Sequence, residues 1–70
     1  MINFLLVLKV CSALDSTCIP EKIVSTHATW FDCARQGTVE TIILLDSMGK
    51  ELVNSNKLYV AFSCKTSSGA

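Results

Sequence analysis

The sequence predicts a small α+β domain in which one helix packs on a mixed sheet, in the order β-α-β-β(-β). Two observations lead to this class: strand-like apolar runs near both ends, and a segment between them that carries helix start and stop signals. Seventy residues allow one domain at most, which we place at residues 1–65. Residues 66–70 have the composition of a flexible tail. A small all-β disulfide-stabilised domain is the alternative.

The first predicted element is a strand over residues 2–10. Its nearly continuous apolar run is typical of a strand that is buried on both faces. Alternatively, residues 1–13 form a signal peptide and 14–70 the mature domain, because Cys11-Ser12-Ala13 offers a small-residue cleavage site. The strand is favoured because no Lys or Arg precedes the apolar run and Lys9 interrupts it.

A helix is predicted over residues 20–36. Pro20 suits the first helical position, and Glu21 in the first turn interacts favourably with the helix dipole. Arg35 followed by Gly37 is typical of a helix C-terminus. One apolar stripe at helical spacing joins Ile23, His27, Trp30, Phe31 and Ala34. The competing interpretation is a strand, because IVSTHATWF is rich in β-branched and aromatic residues.

The remaining elements are predicted as strands and turns. They are a strand over 38–46, a turn over 47–49 with positive φ at Gly49, a short strand over 50–53, a turn over 54–56 and a final strand over 57–65. A strand–helix–strand crossover makes the first two strands parallel. One helix covers one sheet face, so we expect the other face to be bare and apolar, and to be buried by a second copy or a partner.

Composition excludes several classes of function. The chain is 50% hydrophobic and 17% charged, with zero formal net charge, so it is neither a disordered tail nor a basic nucleic-acid-binding surface. No apolar run approaches the roughly 20 residues of a membrane-spanning helix. The surplus of apolar residues predicts a protein partner or a homo-oligomer.

Four cysteines in so short a chain predict a disulfide framework, which favours an extracellular or secreted protein over a cytoplasmic one. The alternative is a cytosolic protein with four buried free thiols, because free cysteine packs as a small hydrophobic residue. Two pairings remain open. One is Cys11–Cys18 with Cys33–Cys64, and the other joins Cys64 to Cys18 or Cys11 and leaves Cys33 free. No metal site is expected, because no cysteine pair has C-x-x-C spacing and the single histidine, His27, belongs to the apolar stripe. No cofactor is expected either.

The segment VCSALDST, Val10–Thr17, resembles the phosphocysteine loop of the IIB proteins of bacterial sugar phosphotransferase systems. The resemblance covers about eight residues, and it implies a phosphoryl-carrying Cys11 after the first strand of a parallel sheet. This chain departs from the family pattern: its loop lacks glycine, it contains Asp15, and the chain is too short for that fold. A thiol placed before a helix N-terminus would have a lowered pKa.

Two functional hypotheses follow from these features. The first is a small non-enzymatic interaction module, disulfide-pinned and secreted, that binds a protein partner or self-associates. In this hypothesis Trp30 and Phe31 are candidate binding anchors, although both also fit a core. The alternative is a thiol-dependent enzyme or phosphocarrier-like protein with Cys11 as its catalytic residue.

Overall fold

The protein is an α+β domain, as the sequence predicts. The computed structural model describes residues 2–68. The elements in chain order are β1 (Ile2–Ser12), β2 (Thr17–Cys18), β3 (Lys22–His27), α1 (Trp30–Met48), α2 (Lys50–Asn56) and β4 (Leu58–Ser68). The described part therefore contains two helices, where the sequence predicted one.

Strand β1 is the centre of the sheet. It pairs with β4 along its whole length, without a register shift, from Ile2 opposite Ser68 to Ser12 opposite Leu58. Its other edge is shared by β2 and β3, and a bulge at Val24 interrupts the pairing with β3. All three pairings are antiparallel, so the predicted parallel crossover is wrong. The chain leaves β1 through a tight turn and returns along the same edge, which needs no helical crossover.

The predicted helix over residues 20–36 is also wrong. Residues 22–27 form strand β3, and α1 begins at Trp30, where the hydroxyl of Thr29 accepts a hydrogen bond of 3.1 Å from the backbone N–H of Asp32. That contact is a regular N-cap. Pro20 lies between β2 and β3 instead of starting the helix. The β-branched residues of 22–27 complete the free edge of β1, and this pairing outweighs the helical start signals.

The strands predicted over 38–46 and 50–53 belong to α1 and α2. Within α1, Thr38 and Thr41 donate their hydroxyl protons to the carbonyls of Ala34 and Gly37, one turn earlier. Threonine in this arrangement satisfies its hydroxyl inside a helix. The segment is apolar on both faces, so alternation and helical periodicity fit it equally well.

The positive φ at Gly49 and the final strand are confirmed, whereas Ser47 and Met48 of the predicted turn belong to α1 and the turn predicted over 54–56 belongs to α2. Gly49 has φ +92°, which a residue with a side chain rarely adopts, and its N–H donates to the carbonyl of Leu45 at the end of α1. Strand β4 covers the predicted 57–65 almost entirely and continues to Ser68, so 66–68 belong to the sheet and not to a tail. Residues 69–70 lie outside the described residues.

Helix α1 packs over β1 and β4. Cys33 on α1 is bonded to Cys64 on β4, and the ring of Phe62 lies directly against the backbone at Gly37. A Cβ atom at Gly37 would lie 2.6 Å from Cε1 of Phe62, so only glycine allows this close approach. The buried apolar residues of the described chain are Leu6, Val7, Leu8, Cys11 and Cys33.

The sheet face away from the helices differs from the expectation of a bare apolar surface. Strand alternation places Lys9, Ser63 and Lys65 on that face. Lys65 Nζ lies 2.6 Å from Glu21 Oε2, an ion pair that ties β4 to the segment before β3. The carboxylate is stabilised by this hydrogen bond and by the lysine charge, which together lower the pKa of Glu21. The same alternation places Leu5, Val7, Tyr59 and Ala61 there, so that face is mixed and not uniformly apolar.

Candidate functional site

The candidate site is an apolar groove between α1 and strand β3. Because α1 lies mainly over β1 and β4, it covers the part of the sheet nearest β3 only in part. The resulting groove has a volume of about 550 Å³. Its apolar lining includes Leu8, Val10, Ile19, Val24, Ile43 and Leu44. A volume in this range, with mainly apolar walls, is typical of binding pockets.

Local structure explains why apolar side chains line the groove. Pro20 shapes the connection from β2 to β3, and Ile19 just before it donates its N–H to the carbonyl of Val10 at 2.9 Å. The bulge places Val24 between two paired residues of β3. Ile19 is 58% exposed and Ile43, on the opposite wall, is 53% exposed. Apolar side chains on both walls are therefore accessible to a binding partner.

Few polar groups border the groove. Lys9 and Lys22 border the groove on the sheet side, and Glu40 and Ser47 border it on the α1 side. Glu40 accepts a hydrogen bond of 2.9 Å from Gln36 Nε2. A mainly apolar groove with isolated polar groups favours burial of an apolar surface over binding of a charged small molecule.

The outward side of α1 is mixed: Arg35, Thr38 and Asp46 are exposed there, together with three apolar residues. Phe31, Val39 and Ile42 are 70%, 42% and 56% exposed, and we call these three residues the outer ridge. Their spacing puts them on the side of α1 opposite the buried Cys33 and Gly37.

The two predicted binding anchors lie at the start of α1, outside the groove. Trp30 is 57% exposed, and its ring packs edge-on against Phe4 with a centroid separation of 5.7 Å. Phe31 belongs to the outer ridge. The structure thus places one anchor against the sheet and the other on the outward surface, and the groove was not found from the sequence because it depends on where α1 lies.

All four cysteines are paired, and the pairing is the first of the two alternatives left open by the sequence. Cys11 and Cys18 lie directly opposite each other in β1 and β2, with Cα atoms 4.0 Å apart. Cys33 and Cys64 join α1 to β4, with Cα atoms 6.2 Å apart. One bond therefore closes the β1–β2 turn, and the other fixes the helix on the sheet.

The predicted reactive placement of Cys11 is wrong. Cys11 is 2% exposed and bonded to Cys18, and the turn after it leads into strand β2 and not into a helix N-terminus. The turn also holds a negative charge, because hydrogen bonds from Thr17 and Ser12 lower the pKa of Asp15. A cysteine bonded in a disulfide has no free thiolate to carry a phosphoryl group.

His27 has a partner that sequence reasoning missed. Ser25 Oγ lies 2.8 Å from Nε2 of His27, two residues along the same strand. A hydroxyl–imidazole contact is one part of a nucleophilic site. Neither residue lines the groove.

Residues 2–68 contain no cluster of three or more His, Cys, Asp or Glu side chains arranged to hold a metal ion. Neither helix among these residues has the length and apolar character needed to cross a membrane. No protein-family model, curated protein or solved structure matches the chain. The groove, the outer ridge and the two disulfides are thus the features on which a functional proposal rests.

Proposed function

We propose that the protein is a non-enzymatic interaction module, pinned by two disulfides, whose binding surface is the groove between α1 and β3. One observation carries the proposal: the described residues bury few apolar side chains and leave many large ones exposed. Five apolar residues are buried, whereas twelve large ones are at least 38% exposed. Exposed apolar surface on this scale marks an interaction site.

The disulfides support the same function. A domain this small has a marginal core, and crosslinks hold its binding surface in one shape. Cys33–Cys64 fixes α1, which forms one wall of the groove, on the sheet. Two disulfides also favour an oxidising compartment, and hence secretion.

A photocrosslinking experiment tests the proposal. The residue p-benzoylphenylalanine replaces Ile43 on the groove wall, and in a matched control it replaces Ser63 on the sheet face away from the helices. Irradiation in the cells that make the protein should give a discrete protein adduct from position 43 and none from position 63. Equal labelling from both positions, or no adduct from position 43, would contradict a groove-centred module.

Alkylation separates this function from the thiol-enzyme alternative. Protein treated with iodoacetamide without reductant should keep its mass, because both pairs of cysteines are bonded. Rapid addition of one carbamidomethyl group at Cys11 near neutral pH would instead support thiol chemistry.

A further inference from the structure

We infer that Cys18 is a thiol-exchange site, at which a small thiol opens the Cys11–Cys18 disulfide and releases one wall of the groove. The inference rests on the proposed function and names a regulation of the same surface. The two disulfides differ in the exposure of their cysteines: Cys18 is exposed, whereas Cys33 is fully buried and Cys64 is partly buried. A thiolate must reach one sulfur of the bond that it opens, so Cys18 is the point of entry.

Strand β2 depends on this disulfide because little else holds it in place. The strand has two residues, and residues 13–21 around it are all exposed, so burial of apolar side chains does not anchor the segment. Its ties to β1 are two residue pairs, one of them the disulfide pair, and a hydrogen bond of 2.9 Å from the N–H of Ile19 to the carbonyl of Val10. Once the disulfide opens, the remaining ties are hydrogen bonds that water can replace.

The groove wall continues directly from β2. Ile19 and Pro20 follow Cys18 in the chain, and both line the groove. When β2 leaves the edge of β1, these two residues lose their fixed position and the groove loses that part of its wall. The rest of the fold is retained, because β4 pairs with β1 along its whole length and Cys33–Cys64 holds α1 on the sheet. The opening is therefore local, as in other redox-controlled surfaces.

The exchange balances with a small thiol as the co-reactant. Its thiolate attacks Sγ of Cys18, the S–S bond breaks, and the electron pair leaves on Sγ of Cys11, which takes up the proton that the thiol lost. A second thiolate attacks the thiol-derived sulfur of the mixed disulfide and releases Cys18 as a thiolate, which is protonated in turn. Two small thiols are thus oxidised to one disulfide, and the protein disulfide is reduced by two electrons.

Stepwise reduction of the wild-type protein tests the exchange. The protein is incubated with increasing concentrations of reduced glutathione, quenched with N-ethylmaleimide and digested for peptide mapping. Maleimide on Cys11 and glutathione on Cys18 should appear before any label on Cys33 or Cys64. Hydrogen exchange of the same samples should rise in residues 13–21 and stay unchanged in α1 and β4.

The inference is overturned if Cys33–Cys64 opens first or together with Cys11–Cys18, or if glutathione is found on Cys11 and not on Cys18. It is also overturned if hydrogen exchange does not rise in residues 13–21, or rises across α1 and β4 as soon as Cys11–Cys18 opens.

The double variant Cys11→Ala/Cys18→Ala tests the link to the groove, because it lacks the bond permanently. Intact mass and circular dichroism check that it keeps Cys33–Cys64 and its fold. With p-benzoylphenylalanine at position 43, the yield of the protein adduct should fall several-fold in this variant. An unchanged yield would overturn the inference and leave the proposed function standing. Loss of the adduct from the chain with both disulfides would remove the proposed function and the control of the groove together.

Discussion

The Cys33–Cys64 disulfide is expected to stabilise the fold more than Cys11–Cys18 does. The two bonds close separate loops with sequence separations of 31 and 7 residues. In the chain-entropy model, loops of these lengths contribute about 3.7 and about 2.4 kcal/mol at 25 °C. Replacing Cys33 and Cys64 with alanine should therefore lower the free energy of unfolding by about 1.3 kcal/mol more than replacing Cys11 and Cys18.

The two double variants can be compared directly because each loses a similar amount of side-chain packing. Each pair contains one fully buried cysteine, Cys33 at 0% or Cys11 at 2% exposed, and one more exposed partner. A 70-residue domain has a total stability of roughly 4–10 kcal/mol, so the loss of Cys33–Cys64 removes a large fraction of it.

Urea unfolding at one fixed protein concentration measures both double variants against the wild type. A fixed concentration is required because self-association would add its own stabilisation. The expected order of midpoints is wild type, then the variant at Cys11 and Cys18, then the variant at Cys33 and Cys64. An equal or reversed order of the two variants would refute loop closure as the main source of stabilisation.

Three further substitutions test local features of the fold. Gly37→Ala should destabilise the protein by about 1–3 kcal/mol, because the added methyl group meets the Phe62 ring. The second substitution Phe62→Leu should recover part of this loss. An unchanged thermal unfolding temperature for Gly37→Ala would contradict the close approach of the ring to the backbone. Glu21→Gln should remove a stabilisation that is fully present above the ordinary carboxyl pKa and is lost as the pH falls through the lowered pKa of Glu21. The free energies of unfolding of the wild type and Glu21→Gln should thus converge at acid pH. A difference in unfolding free energy that stays constant from neutral to acid pH would show that the ion pair with Lys65 does not cause it. Lys57→Gly should stabilise the protein by about 0.5 kcal/mol, because Lys57 has φ +52°, a conformation that glycine adopts without strain. A clear decrease of the free energy of unfolding in urea would show instead that contacts of the lysine side chain outweigh the backbone strain.

The groove itself could not be predicted from the sequence. Ile19, Val24 and Ile43 lie in three separate segments, and they meet only because α1 covers the part of the sheet nearest β3 only in part. The sequence did indicate a surplus of apolar residues, which is the signal behind the proposed function. The contact between Ser25 and His27 could have been predicted by assigning this segment to a strand, because alternating residues of a strand share a face.

The sequence alone determined the two long strands, the positive φ at Gly49 and the need for crosslinks. Residues 2–10 and 57–65 have strong strand patterns, and an isolated glycine after an apolar segment marks the end of a regular element. These features depend on short-range preferences that the surroundings reinforce.

Tertiary structure alone decided the secondary structure of residues 20–46. Segments 22–27 and 38–46 are both rich in β-branched residues, yet one became strand β3 and the other became part of α1. The first pairs with the free edge of β1, whereas the second must cover the face that holds Leu6 and Leu8. Intrinsic preferences differ by only about 1 kcal/mol per residue, so the available edge and the face to be covered determined which segment became which.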